Sequence, residues 1–103
     1  MVLLEQGGGV AFDMKAGGPL ELALVPREGE PETVALHGKD VADLLAGVEG
    51  RVGPLRVKAG YGGTGMVSLT IGDDGDGTTV FLSTEEMYML RRAVESRLWR
   101  MYQ

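Results

Sequence analysis

The chain has 103 residues, 44% of them hydrophobic and 24% charged, with ten Lys and Arg against fifteen Asp and Glu for a net charge of −5. That length and balance describe a single globular domain, residues 1–103, rather than a disordered chain, and an acidic total is a poor global signature for a nucleic-acid binder. The lack of cysteine excludes disulfides, thiolate metal sites and thiol catalysis, and His37, the only histidine, excludes a His-rich metal site.

The start, Met1-Val2-Leu3-Leu4-Glu5-Gln6, has neither the basic residues nor the apolar length of a signal peptide, and the longest apolar runs fall far short of the roughly 20 residues of a spanning helix. A cytoplasmic location without membrane contact is expected. Residues 1–5 offer an edge strand, ended by Gly7-Gly8-Gly9. Val10, Phe12 and Met14 then alternate with Ala11, Asp13 and Lys15, the period of two that marks a half-buried strand. Leu20, Leu22 and Leu24 alternate along the next strand, and a loop with Pro26 and Pro31 leads to a short strand from Glu32 to Leu36. Helical spacing follows at Val41, Leu44, Leu45 and Val48, with Gly47 and Gly50 as stops, so a helix of about ten residues is predicted.

The pattern then restarts. Leu55-Arg56-Val57-Lys58 and Met66-Val67-Ser68-Leu69-Thr70-Ile71 read as strands, an acidic turn spans residues 72–77, and Thr78-Thr79-Val80-Phe81-Leu82 reads as a third. Ser83 with Glu86 forms a capping box, and Met87, Leu90, Val94, Leu98 and Met101 make one apolar stripe of a helix over residues 84–102.

These two passages echo one another. Thr33, Val34, Leu36, Asp40, Val41, Leu44 and Val48 match Thr79, Val80, Leu82, Glu86, Met87, Leu90 and Val94 at a separation of 46, and Leu20, Leu22 and Leu24 match Val67, Leu69 and Ile71 at 47. The expected fold is α+β: two tandem β-β-β-α repeats, residues 10–50 and 51–103, with antiparallel sheet, internal pseudo-twofold symmetry and one shared core. The second helix is nearly twice the first, and its added turns need something to pack against. Leu98, Trp99, Met101 and Tyr102 are therefore candidates for a homo-oligomer interface.

Other motifs favour a structural reading. Gly60-Tyr61-Gly62-Gly63-Thr64-Gly65 satisfies G-x-G-x-x-G, but a strand follows where a dinucleotide site needs a helix N-terminus, so a hairpin connection is expected. Asp74, Asp76, Thr78 and Glu85 fall at ligand places of a calcium loop, yet its sixth place, which needs glycine, is Thr79, which leaves a solvated turn. His37 aligns with Ser83 and reads as a polar helix start. No nucleophile, orienting acid or carboxylate pair accompanies it, so no catalytic residue, metal or cofactor is expected.

A curved antiparallel sheet followed by a helix, given twice, resembles the Whirly proteins and the related transcriptional positive-cofactor proteins. The likeness is carried by Leu55-Arg56-Val57-Lys58, Met66 to Ile71 and the passage from Gly77 to Leu90, and covers most of the chain from Val10. It implies non-enzymatic binding of single-stranded DNA across the strands, in transcription or DNA maintenance. Such binding needs cations along a backbone path and an aromatic face for bases. Arg56 and Lys58 share one strand face, Lys15 is the expected counterpart in the first repeat, and Tyr61 the expected stacking residue. The rival reading is an acidic protein-interaction or regulatory module, oligomeric and phage-like in type, which meets a protein partner through its acidic loops and the Trp99 and Tyr102 surface and binds no nucleic acid.

Overall fold

A computed structural model describes residues 2–4, 7–61, 65–72 and 77–101, with the Tyr61 side chain outside that description. The order of elements is β1 (Val2–Leu3), β2 (Gly9–Met14), β3 (Leu20–Val25), β4 (Glu32–Leu36), α1 (Gly38–Ala46), β5 (Gly50–Val52), β6 (Leu55–Tyr61), β7 (Met66–Ile71), β8 (Thr78–Leu82) and α2 (Thr84–Met101). The fold is α+β, with two four-stranded sheets of order β1-β2-β3-β4 and β5-β6-β7-β8 and every neighbouring pair antiparallel.

The expected order of three strands and a helix is corrected to four strands and a helix in each half. The expected N-terminal edge strand is present as β1. The strand that the sequence pattern missed is β5, whose three residues lie between Gly47 and Gly53 in a stretch rich in breakers. Three residues show too little alternation to announce a strand, and β5 forms only because β6 offers it a ladder, with Val52 opposite Leu55 and Arg51 opposite Arg56.

Alternation decides which face goes inside. Val10, Met14, Leu20, Leu22, Leu24 and Leu36 are buried from the first sheet, and Val52, Leu55, Val57, Val67, Leu69, Ile71, Val80 and Leu82 from the second. They join Leu44 of α1 and Met87, Leu90 and Val94 of α2 in one hydrophobic cluster. At roughly 1.5–3 kcal/mol for each fully buried large aliphatic side chain, this cluster is the main force against chain entropy. The ladders correspond closely: Leu20 and Leu22 face Leu36 and Val34 in one sheet, and Val67 and Leu69 face Leu82 and Val80 in the other.

The helix ends follow their local chemistry. Ser83 Oγ accepts from the Glu86 amide at 3.1 Å, and Glu86 Oε1 accepts from the Ser83 amide at 2.7 Å, the reciprocal bonds of the predicted capping box. His37 occupies the same place before α1, but its side chain makes no capping bond. Gly47 ends α1 at φ 78°, and its amide and that of Val48 bond to the Leu44 and Asp43 carbonyls. Val48, expected in the helix, lies beyond it and is exposed. The β5–β6 turn presses against α1 so closely that a Cβ on Gly53, at φ 61°, would lie 2.6 Å from Asp40 Oδ2.

The added turns of α2 have an internal use. α2 touches β1 and β2 of the first sheet as well as β7 and β8 of the second. Leu98 and Met101 are half-buried against the common core, and Arg97 lies 3.9 Å from Asp13. Among the described residues, no helix is long and apolar enough to cross a membrane.

Candidate nucleic-acid interface

The outward faces of the two sheets have opposite chemistry. In the second sheet, inward Leu55 and Val57 send Arg56 and Lys58 outward, and inward Val80 and Leu82 send Phe81 outward. The ladders align these side chains in rows. Arg51, Arg56, Thr70 and Thr79 stand opposite one another across all four strands, and Lys58, Ser68 and Phe81 form the neighbouring row across three.

Both rows are partly tied down. The Thr70 and Thr79 hydroxyls share a 2.9 Å hydrogen bond, and Ser68, only 7% exposed between Lys58 and Phe81, donates to the Lys58 carbonyl at 3.5 Å. Arg51 and Lys58 are exposed, while Arg56 and Phe81 are half-buried. No Asp or Glu occurs in the four strands of this sheet. Arg51 and Arg56, directly opposite across β5 and β6, repel one another, a cost that an anion between them would offset.

The first sheet has the same frame with other side chains. Its outward rows include Ala11, Ala23 and Thr33, and beside them Asp13, Glu21 and Ala35. Asp13 and Glu21 are directly opposed, and the strands of this sheet hold no Lys or Arg.

The sequence-derived candidates therefore separate. Arg56 and Lys58 come together as expected. Lys15 does not join them: it lies past the end of β2, exposed, where its carbonyl accepts from the Gly18 amide in a turn. Its expected equivalence to the β6 cations is corrected by the ladders. Phe12 faces Leu22 as Val57 faces Leu69, which sets Asp13, not Lys15, at the place of Lys58. Tyr61 closes β6 beyond a register shift and pairs with Met66, but its side chain and the loop residues 62–64 lie outside the described residues. A strand, β7, follows that glycine-rich loop, as the hairpin reading requires.

Sequence reasoning missed Arg51 and Phe81. The signal for Phe81 is present in the inward alternation of Val80 and Leu82; Arg51 has none, because Gly50 and Gly53 on either side leave too short a run to show alternation. The Asp74 and Asp76 part of the acidic turn also lies outside the described residues. Among the described residues, no group of three or more His, Asp or Glu is placed to hold a metal.

Of the proposed oligomer contacts, Leu98 and Met101 face this chain's own core, Trp99 is 66% exposed, and Tyr102 lies outside the described residues. Compared with known proteins, the chain matches no family model, no curated protein and no solved structure.

Proposed function

We propose that this chain is a non-enzymatic protein that binds single-stranded nucleic acid, in transcription or DNA maintenance, on the outward face of its second sheet. The observation that carries this reading is the row Arg51, Arg56, Thr70 and Thr79 with Lys58 and Phe81 beside it. It supplies cations for phosphates, hydroxyls for phosphate or sugar oxygens and one aromatic face for a base. The two sheet-plus-helix halves are read as repeats related by a pseudo-twofold. The matching ladders support this, and four strands per unit suit the likeness to Whirly-type proteins.

The overall charge of −5 does not oppose this reading, because screening over about 8–10 Å makes the local face count for more than the total. The test is fluorescence anisotropy with labelled oligo-dT over a range of salt. Three cations at about −0.7 each give an expected slope of log affinity against log salt near −2. No binding at low salt overturns the reading.

A second reading rests on the acidic first sheet, where Asp13 and Glu21 present a surface for a protein partner. Pull-down with the Asp13→Ala/Glu21→Ala variant beside the native chain separates the two. The homo-oligomer belongs to the proposal in a narrower form, through the outward side of α2 at Tyr88 and Trp99. An unchanged solution mass for Trp99→Glu removes it.

A further inference from the structure

Arg91, half-buried in α2, is one place where the second half of the chain departs from the first. The position 46 residues earlier is Leu45, half-buried against the core, and it lines a groove between the β2–β3 hairpin and the helices. Arg91 lines the corresponding groove of the second half, a space of about 330 Å³ on the helix side of the second sheet. Its lining includes Leu44, Val57, Val67 and Met87, with Gly60 and Gly65.

The guanidinium is poorly provided for there. Its Nε is buried and has no hydrogen-bond partner, an arrangement rare enough to call for a cause. Nη1 lies so near Gly47 that a Cβ on that glycine would sit 2.8 Å away. That position is the C-terminal end of α1, where the Asp43 and Leu44 carbonyls accept from the Val48 and Gly47 amides and the helix dipole favours a cation, which leaves the Nε donor still unmatched.

We propose that this groove binds a small organic monoanion, a carboxylate carrying an apolar chain or ring, with Arg91 as its charge partner. The planar guanidinium matches a carboxylate in a two-bond fork, and the aliphatic walls take the apolar part. Among the described residues Glu49 is the one acid lining the groove, and its charge disfavours anions of higher charge such as phosphate esters. The space is large enough to take a short apolar chain or a single ring. Because the groove opens on the helix side, this site is independent of the nucleic-acid face.

The test is a titration of the full chain with sodium octanoate, with acetate and phosphate as controls, followed by amide NMR shifts. Saturable shifts at Gly47, Gly60 and Gly65 with octanoate, and at least tenfold weaker effects with acetate and phosphate, are expected. Arg91→Leu places at this site the residue its counterpart already has, so it should fold and lose affinity at least tenfold. Arg91→Met serves equally if that variant is unstable. The proposal is overturned by the absence of saturable octanoate binding, by shifts confined to the groove at Met14 and Leu98, or by unchanged affinity in a folded variant.

Discussion

The strands of the first sheet carry Asp13, Glu21 and Glu32 and no cation, while those of the second carry Arg51, Arg56 and Lys58 and no acid. Inward, the two sheets are alike in character, large apolar side chains opposite large apolar side chains, as in Leu22 against Val34 and Leu69 against Val80. The difference teaches that the buried faces answer to one requirement, a common core, and the outward faces are released from it. On that ground the second sheet is the place to seek a polyanion and the first is not.

The comparison is most severely tested at the core, where the halves should behave alike. Leu22→Ala and Leu69→Ala, both at positions with no exposed area, should each cost about 2–5 kcal/mol in urea unfolding. A single transition is expected in both, because the two side chains belong to one cluster; two separate transitions would show that the halves unfold apart.

Outside the core the halves should diverge. Replacing Arg51, Arg56 and Lys58 together by alanine should bring the salt slope of oligo-dT binding from about −2 to near zero, each cation accounting for about 0.7. Phe81→Ala should weaken binding by about 1–3 kcal/mol with the slope unchanged, since stacking releases no counterions. A changed slope for Phe81→Ala, or an unchanged one for the triple variant, would dissolve the assigned division of roles.

Smaller differences belong to the helix starts. Ser83→Ala loses a hydroxyl that accepts the Glu86 amide and should cost about 1 kcal/mol, whereas His37→Ala removes no capping bond and should stay within about 0.5 kcal/mol. Thermal unfolding checks both. Smallest of all is Asp13→Asn. It gives up a 3.9 Å ion pair with Arg97 between well-exposed side chains but relieves the opposition to Glu21, for a net change within about 0.5 kcal/mol.

Much of the frame was legible in the chain itself. Period-two alternation located β2 and β3, runs bounded by turns and loops located β4, β6, β7 and β8, the breaker-bounded start marked β1 as an edge, and Ser83 with Glu86 located the start of α2. Only β5 escaped, and with it Arg51, since a three-residue strand takes its shape from its neighbour. The candidate site was half legible: Arg56 and Lys58 followed from alternation, whereas the displacement of Lys15 depended on ladder register. The added turns of α2 raised the right question in sequence and received another answer, because Leu98 and Met101 found the first sheet of their own chain.

By itself the sequence determined what depends on neighbours a few positions apart: alternation along strands, the apolar stripe of a helix, the reciprocal bonds of a cap. The tertiary structure decided what depends on residues far apart in the chain. It set Arg51 beside Arg56 and in line with Thr70 and Thr79, turned Leu98 inward while leaving Trp99 out, and brought Arg91 to the groove beside Gly47. Ladder register and helix docking arise from burying both sheets in one core, and no local pattern contains that requirement.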